Sequence, residues 1–420
     1  GEGNRPPLGA VMIDLVIQNA SQILTCAPEE ATTPKAGRQQ GTLSITSGGV
    51  AIKDGRILEV GPEVDRLAAE NVIDAGGGVI LPGFVDCHTH SVFAGSRAEE
   101  FEERARGVSY QEIAKRGGGI RSSMTSLREA SDEELEAAVG KHLDRFLELG
   151  TTTIEAKSGY GLSLDDELRA LRALGLAHEV EVVRTCLAAH TVPPEFADDR
   201  DAYLDLVCNE IFPAVADEEL AKYCDAFIEQ GVFSFAEGER VFEAGKRYGL
   251  RPRVHAEQLS HAGGIKLACR VGAISADHLE FCTKEDAVAM KQAGVMAVLL
   301  PTANYTLDQE KRAPARAIIS VGCPIALATD FNPGSSPTQS MPLVLNMACV
   351  RFGMSVAEAI VGATFNAACA IEQQHRLGSI EPGKQADLIV CDVAEYREIA
   401  YFFGGNPVRT VVKRGKVVRE

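Results

Sequence analysis

The sequence predicts an α/β protein: a (β/α)₈ barrel of the TIM type, with a small β-sandwich domain that both chain ends build together. Two observations lead to this fold. From Pro82 to Gln374, eight short runs rich in β-branched residues are each followed by a stretch rich in Ala, Leu and Glu. Such alternation implies a parallel sheet, and eight repeats fit a closed barrel. Both chain ends carry turn-linked strands instead.

The chain ends resemble each other in their pattern. Residues from Met12 to about Val79 form short apolar runs joined by turns, and the Asp-Gly pair in "KDGR" is a strong hairpin signal. Near the other end, "KRGK" joins two Val-rich runs. Neither end has enough strands to close a core, so we expect them to pair. The predicted division assigns residues 1–81 and 375–420 to the small β domain and residues 82–374 to the barrel.

Eight runs in the middle of the chain are the predicted barrel strands. They read, in order, "GFVDCHTH", "TTTIEAKSG", "VEVVRTCLAAH", "DAFIEQGVF", "RPRVHAEQ", "AISADHLE", "VMAVLLPT" and "CPIALATDFNPG". The alternative fold is an open, doubly wound sheet. Because neither G-x-G-x-x-G nor a P-loop follows the first strand, a nucleotide-binding version of that sheet loses its main support.

A long insert follows the first predicted strand. It runs from Ser91 to Leu149 and contains the glycine-rich stretch "RGGGIRSS". An insert at the carboxyl end of a barrel strand usually belongs to the active-site face, so we expect it to act there, as a lid for example.

Composition excludes several classes of protein. The chain has no apolar run long enough to span a membrane, and its opening, "GEGNRPPLGAVM", reads as a tail and lacks the layout of a signal peptide. Eleven cysteines without a C-x-x-C pair suit buried thiols in the reducing cytoplasm. The net charge of −17 disfavours nucleic acid as a partner. If the substrate is a small anion, specific arginines must bind it, and Arg97 is the first candidate.

Histidines gather at the predicted strand ends. Five of the nine histidines and one aspartate end these strands: His88 and His90 on the first, His190 on the third, His255 on the fifth, His278 on the sixth and Asp330 on the eighth. Carboxyl ends of barrel strands meet at one face, and residues i and i+2 of a strand point the same way. We therefore expect these side chains to converge. A single histidine at a strand end is more often a core residue, so the prediction rests on the whole set.

The converging set predicts a metal site. Three histidines and one carboxylate suit a divalent ion of intermediate hardness, such as Zn²⁺ or Fe²⁺. Such an ion lowers the pKa of a bound water from 15.7 to about 7, which makes hydrolysis the natural reaction. Asp330 is then the candidate for accepting the water's proton. His278 is the candidate for polarising a carbonyl or carrying a proton to a leaving nitrogen.

Several motifs together resemble one superfamily. The run "LPGFVDCHTH", the strand-five histidine, "ADHLE", "ATDFNPG" and the closing "GSIEPGKQADLIVCD" look like those of the amidohydrolases. This resemblance implies a metal-dependent hydrolase with a (β/α)₈ barrel and a composite β domain. It covers nearly the whole chain.

A narrower resemblance suggests a substrate. The stretches "HTHSVFAGSRAEEF", "GGGI", "EAKSGYGL", "AAHTVP", "HAEQLSHAGG" and "TDFNPGS" look like the ring-opening branch of the amidohydrolases, which acts in histidine degradation. The resemblance implies hydrolysis of 4-imidazolone-5-propanoate to N-formimino-L-glutamate by a metal-activated water, with one divalent ion per chain and a possible homodimer. By position it implies His88, His90, His255 and Asp330 as metal ligands, Asp330 and His278 as catalytic groups, and Arg97, Tyr160, His190, Gln258, Asn332, Gly334 and Ser335 as substrate contacts.

Three positions leave alternatives open. Many relatives carry a glutamate three residues after the strand-five histidine, where this chain has Gln258, and Glu257 should face the opposite way on a strand. Arg97 has a structural alternative, a salt bridge within the acidic "RAEEFEER". Lys157 lies on the second strand, whereas a metal-bridging lysine belongs on the fourth, so a site for one ion is favoured and Lys157 should pair with a carboxylate or lie near the substrate.

Two other functions compete with this one. A deaminase of purine or pyrimidine rings uses a similar one-metal site, but it usually needs the missing glutamate and has less use for Arg97. A relative without catalysis, kept as a binding module, typically loses metal ligands, whereas all four are present here.

Overall fold

The computed structural model describes residues 12–30 and 32–420. The predicted tail at residues 1–11 lies outside the described residues. The strands are β1 Ile13–Leu24, β2 Ile45–Lys53, β3 Arg56–Gly61, β4 Ala69–Asp74, β5 Val79–Pro82, β6 Phe84–Thr89, β7 Thr151–Lys157, β8 Glu181–Ala189, β9 Tyr223–Ile228, β10 Arg251–Ala256, β11 Ser275–His278, β12 Met296–Leu299, β13 Ile325–Leu327, β14 Leu388–Cys391, β15 Val408–Lys413 and β16 Lys416–Arg419.

Strands β6 to β13 form the predicted barrel. They lie side by side in chain order, and every neighbouring pair is parallel. A parallel bridge between Thr89 and Phe331 connects the first strand to the segment after the last, which closes the ring. Seven of the eight predicted runs contain one of these strands in full, and β9 begins two residues before the fourth run, so the predicted fold class is confirmed.

Helices follow the barrel strands and cover the sheet. They are α1 Ala98–Ala105, α2 Tyr110–Lys115, α3 Ile120–Glu129, α4 Asp132–Glu148, α5 Leu164–Ala173, α6 Arg200–Leu206, α7 Phe212–Asp217, α8 Phe235–Arg247, α9 Gly264–Val271, α10 Lys284–Ala293, α11 Pro301–Thr306, α12 Ala315–Val321, α13 Met341–Phe352, α14 Val356–Gly362, α15 Phe365–Ala370 and α16 Glu398–Tyr401. Reciprocal capping boxes fix the starts of α4, α8, α10 and α14.

The remaining strands form a second, mixed sheet from both chain ends. Its order is β16-β15-β14-β5-β1-β2-β3, with β4 beside β1, and the antiparallel pair β5–β14 joins the two ends. Both predicted hairpins are present. Asp54 and Gly55 have φ of 50° and 72°, and Arg414 and Gly415 have φ of 48° and 76°, the left-handed pairs that a two-residue type I′ turn requires. The exact domain limits stay a prediction.

Buried polar contacts fasten the second sheet to the barrel. Lys413 Nζ lies 2.6 Å from Asp387 Oδ2 and donates to the carbonyl of Thr152 at the start of β7. The Gly83 amide, just before β6, donates to the carbonyl of Asp387. Since the contacts reach the amino ends of β6 and β7, the carboxyl ends of the barrel strands stay available for a site.

The insert after β6 folds into α1 to α4. Its apolar side chains share one core with the barrel, in which Val92, Phe93, Leu143 and Phe146 pack together with Phe331. Ile120 of the glycine-rich stretch packs against this core, and Arg104 of α1 donates to the Gly334 carbonyl after β13, so both segments lie beside the carboxyl ends of the strands. The predicted lid motion stays a prediction.

Nine of the eleven cysteines are buried, and all eleven are unpaired. This agrees with their interpretation as small apolar residues. In the part of the chain that the structure describes, every helix is too short or too polar to cross a bilayer.

Candidate active site

Five predicted side chains meet at the carboxyl end of the barrel. Asp330 Oδ1 lies 3.3 Å from His88 Nε2 and 3.2 Å from His90 Nε2. His255 Nε2 lies 3.4 Å from His90 Nε2, and the His278 ring centre is 5.3 Å from that of His255. All five residues are buried. The strand geometry places them together although they are far apart in sequence.

The polar atoms of this cluster fit a divalent cation. Potential ligand atoms of His88, His90 and Asp330 lie within 4.8 Å of one another, as do those of His88, His255 and His278. His88 Nε2 and Asp330 Oδ1 are buried and, within residues 12–30 and 32–420, make no hydrogen bond. An unsatisfied buried polar atom costs about 1–3 kcal/mol. A bound ion would remove that cost, and imidazole with carboxylate is a donor set that suits zinc or iron.

Electrostatics in the cluster also favour a cation. Burial and the charge of Lys157 oppose protonation of His88, yet Asp277 and Asp330 outweigh them and raise its pKa to about 9. Burial lowers the pKa of His90 to about 4. Burial opposes ionisation of Asp330, but its contacts with His88 and His90 hold its pKa well below the usual range. A site with an ionised carboxylate that stabilises positive charge suits a metal.

Two carboxylates orient the histidines from behind. Asp277 Oδ2 lies 2.6 Å from His88 Nδ1, and Asp225 Oδ2 lies 3.0 Å from His255 Nδ1. With Nδ1 donating to a carboxylate, each ring turns its Nε2 lone pair toward the centre of the cluster. The ligand tautomer is therefore set by the strands β9 and β11.

Lys157 contacts one of these two carboxylates, that of Asp225. Its Nζ lies 2.7 Å from Glu155 Oε1 and 3.0 Å from Asp225 Oδ2, with all three side chains fully buried. The prediction that Lys157 pairs with a carboxylate is confirmed. Arg253, also fully buried, lies 3.2 Å from Asp277 and donates to the carbonyl of Cys87.

Sequence reasoning missed Asp225, Asp277, Glu155 and Arg253. The available signal was a charged residue inside a short apolar strand, as in "TTTIEAK" and "RPRVHA". Charged side chains are seldom fully buried unless they are paired, so each of them implied a partner on a neighbouring strand.

A cavity of about 300 Å³ opens above the cluster. Ten of the predicted site residues line it: His90, Arg97, Tyr160, His190, His255, Gln258, His278, Asp330, Asn332 and Ser335. Ser109 and Ile120 from the insert, with Phe227, Leu259, Leu307 and Gln309, complete the wall. A cavity of this size suits a small molecule.

Arg97 forms the salt bridge of its structural alternative and also borders the cavity, while its contact with a substrate stays a prediction. It lines the cavity, and its Nε and Nη2 donate to Glu100 Oε2 at 2.9 Å and 2.7 Å. The salt bridge therefore does not remove the guanidinium from the site.

Gly334 lies directly against Arg97. A Cβ atom at position 334 would stand 2.1 Å from Arg97 Nη1 and 2.6 Å from its Cζ. The Gly334 carbonyl also accepts a hydrogen bond from Arg104 at 2.9 Å. The glycine is thus required for the close approach of a guanidinium, which explains this position better than a tight turn does.

Tyr160 and His190 form part of the cavity wall. The His190 Nδ1 donates to the carbonyl of Gly159 at 2.9 Å, which leaves Nε2 as an acceptor. Burial holds the pKa of His190 well below its usual range. The ring stacks on His90 at a centre-to-centre distance of 5.4 Å, and Tyr160 lies 5.5 Å from His190. A flat ring could pack against these groups from the cavity side.

His278 sits at a strained turn after β11. Its φ is 84° and that of Leu279 is 73°, a left-handed conformation that costs energy in residues other than glycine. Burial keeps the pKa of His278 well below its usual range. The turn directs a neutral imidazole into the cavity beside the cluster.

Gln258 and Glu257 face different directions, as predicted. Gln258 lines the cavity. Glu257 is buried and accepts hydrogen bonds from the amides of Ala262, Gly263 and Ile265. Its carboxylate therefore holds the start of α9 and lies away from the cavity.

Asn332 and Ser335 lie on the loop after β13. The Asn332 carboxamide donates to the Asp330 carbonyl at 2.6 Å and accepts from the amides of Gly334 and Ser335. This side chain fixes the loop that carries Asp330. Both residues still border the cavity.

Comparison with known proteins agrees with this geometry. The model of the amidohydrolase family matches residues 79–418. An imidazolonepropionase from Geobacillus kaustophilus (strain HTA426) is 46% identical over 417 residues, covering 97% of this chain and 98% of the relative. A second, from Solibacter usitatus (strain Ellin6076), is 46% identical over 415 residues, covering 97% and 99%.

Solved structures share the fold at low identity. The adenosine deaminase from Xanthomonas campestris, solved with bound zinc, has a TM-score of 0.71 at 19% identity and covers 96% of this chain and 92% of that chain. The 5-methylcytosine deaminase from Klebsiella pneumoniae has a TM-score of 0.74 at 16% identity and covers 96% and 97%. These identities support the fold alone and do not favour the deaminase alternative. The family model and the near full-length relatives decide the family: the chain belongs to the amidohydrolases and, within them, to the imidazolonepropionases.

Proposed function

We propose that this chain is a hydrolase that opens the ring of 4-imidazolone-5-propanoate to give N-formimino-L-glutamate, a step of histidine degradation. The observation that carries this proposal is a buried His/Asp cluster that shares one cavity with an arginine. In the reaction, water oxygen bonds to the ring carbonyl carbon, the carbon–nitrogen bond breaks, and the nitrogen takes up a proton.

The proposed ligands of one divalent ion per chain are His88, His90, His255 and Asp330. Their buried nitrogen and oxygen atoms converge within the distances given above. Bound Zn²⁺ or Fe²⁺ would lower the pKa of a water to about 7 and polarise a carbonyl.

Asp330 and His278 are the proposed proton carriers. Asp330 is ionised and lies at the floor of the cavity, so its carboxylate can accept the proton of the attacking water. His278 is neutral and can donate a hydrogen bond to the carbonyl oxygen or carry a proton toward the leaving nitrogen.

The propionate arm is the proposed partner of Arg97, because a guanidinium binds a carboxylate through charge-assisted hydrogen bonds. Tyr160, His190 and Gln258 border the space where the ring would lie. Asn332, Gly334 and Ser335 are proposed to complete the pocket around the arm. With a net charge of −17, the chain is expected to bind a small anion through local arginines and to bind no nucleic acid. A cytoplasmic homodimer is the proposed state in the cell.

The test is direct. Protein of known metal content is incubated with freshly made 4-imidazolone-5-propanoate, the loss of ultraviolet absorbance is followed, and the product is identified by mass. Turnover to N-formimino-L-glutamate that a chelator abolishes supports the proposal. No turnover by protein that holds a full equivalent of metal would contradict it, and release of ammonia from guanine or cytosine would favour the deaminase alternative.

A separate measurement distinguishes the proposed role of Asp330 as general base from its proposed role as metal ligand. An Asp330→Asn variant that still binds metal should lose most turnover, by roughly 10²–10⁴-fold, since a general base contributes about this much. Near-normal rates with metal bound would remove Asp330 from the role of base.

A further inference from the structure

Glu100 contacts the arginine of the cavity through one of its oxygens. Oε2 accepts hydrogen bonds from both Nε and Nη2 of Arg97. The side chains of Arg97 and Glu100 are 5% and 16% exposed, so solvent screens this pair weakly. Two contacts to one edge of a guanidinium fix the plane of the whole group.

The second oxygen of Glu100 contacts the glycine-rich stretch. Oε1 accepts the amide hydrogen of Gly119 at 3.1 Å. Gly119 immediately precedes Ile120, which lines the cavity. A Cβ at Gly118 would stand 3.1 Å from the same oxygen, so the glycine-rich backbone approaches the carboxylate closely. One carboxylate therefore joins Arg97 to the wall that the insert contributes.

Gly334 restricts Arg97 from another side, because Nη1 lies against its backbone. The edge between Nε and Nη2 faces Glu100. The orientation of this edge depends on Glu100.

We propose that Glu100 is a positioning residue, which orients the Arg97 guanidinium so that the cavity selects ligands with a carboxylate arm. The identity of that arm rests on the proposed function. Two physical effects of Glu100 have opposite signs. Its negative charge repels an anionic ligand, whereas its hydrogen bonds hold the arginine in place. The affinity gained by orienting Arg97 is expected to exceed the affinity lost through repulsion between Glu100 and the anionic ligand.

The test measures equilibrium binding, so it does not depend on turnover. Imidazole-4-propanoate and 4-ethylimidazole share a ring but differ in the carboxylate, and their dissociation constants are measured by calorimetry with protein of known metal content. The Glu100→Ala variant should bind imidazole-4-propanoate about tenfold more weakly, the lower range for losing a hydrogen bond to a charged group. Its affinity for 4-ethylimidazole should not change.

Three matched variants sharpen the result. Glu100→Gln keeps one acceptor oxygen for Arg97 but cannot also accept the Gly119 amide hydrogen. Its affinity for imidazole-4-propanoate should therefore lie between those of the wild type and Glu100→Ala. Glu99→Gln removes the neighbouring exposed charge and should match the wild type. In an Arg97→Met background, Glu100→Ala should have no further effect on imidazole-4-propanoate, because Glu100 acts through Arg97.

Several outcomes would overturn the proposal. Unchanged or tighter binding of imidazole-4-propanoate by Glu100→Ala would mean that repulsion dominates. Equal losses for both ligands would indicate general damage to the cavity. If the wild type binds imidazole-4-propanoate no more tightly than 4-ethylimidazole, the proposed contact between Arg97 and the carboxylate arm is wrong. Failure of the proposed function looks different: the arm preference and its dependence on Glu100 would persist while 4-imidazolone-5-propanoate stays intact.

Discussion

Replacing Gly334 with alanine tests whether the backbone approach of Arg97 matters for binding. The added Cβ would stand 2.1 Å from Arg97 Nη1, so the guanidinium has to move by about 1.3 Å to reach an ordinary contact of 3.4 Å. The φ of Gly334 is outside the left-handed region, so the backbone itself tolerates alanine. The clashing atom is the end of a side chain, and the cost should fall on the position of Arg97 with little loss of folding stability.

The expected loss follows from the contact that the shift breaks. A hydrogen bond to a charged group contributes about 1.5–3 kcal/mol, and every 1.4 kcal/mol is tenfold in affinity. Gly334→Ala should therefore bind imidazole-4-propanoate about 10- to 100-fold more weakly and raise KM more than it lowers kcat. Binding of 4-ethylimidazole, metal content and Tm should stay near wild type.

A matched glycine variant serves as the control. Gly140 lies inside α4, and an added Cβ would meet only Leu176 Cδ2, at an ordinary 3.7 Å. Gly140→Ala should keep wild-type binding and gain slightly in stability, since alanine favours a helix by about 1 kcal/mol over glycine. If Gly334→Ala binds the carboxylate ligand as tightly as the wild type does, the inferred contact between Gly334 and Arg97 does not control binding.

Three further results are expected. Asp277→Asn should weaken metal binding by roughly 10–100-fold, because it removes the carboxylate that orients His88, and competition with a chromophoric chelator measures this. Asp387→Ala should lower the free energy of unfolding by about 3–5 kcal/mol in urea titrations, because it removes the nearest carboxylate of the buried Lys413 and leaves Glu181, at 3.9 Å, as its ion-pair partner, whereas a loss below 1 kcal/mol would show that Glu181 or water compensates for Asp387. Metal-free protein should take up one equivalent of Zn²⁺ per chain with recovery of activity, and a second tightly bound equivalent would contradict a one-metal site.

The barrel was predictable because its signals are local. Each strand is a short β-branched run, and the last residue of a run marks the face where sites form. His88 and His90, two apart on β6, could be assigned to one side from strand geometry alone. His278 and Asp330 followed from the same rule, although their left-handed backbone conformations gave no sequence signal.

Partners across strands were not predictable, because they depend on register. Asp225 contacts His255 on the neighbouring strand β10, whereas Asp277 on β11 contacts His88 on β6, which is not its neighbour, and a shift of one residue would turn either side chain outward. The prediction for Arg97 was incomplete for another reason. The sequence offered the salt bridge to Glu100 and a ligand contact as alternatives, whereas different edges of one guanidinium can serve both.

The buried charges around the cluster fit the proposed binding of one divalent ion. Among the described residues, ion pairs join His88 and His255 directly or through one another to four carboxylates, those of Glu155, Asp225, Asp277 and Asp330, and to two cations, Lys157 and Arg253. This network therefore carries two formal negative charges in excess, inside a core where uncompensated charge is costly. The pKa of His88, raised to about 9 against burial and Lys157, shows that the network already stabilises one added positive charge. One divalent ion neutralises the excess, whereas a second would leave two positive charges that no carboxylate of this network balances.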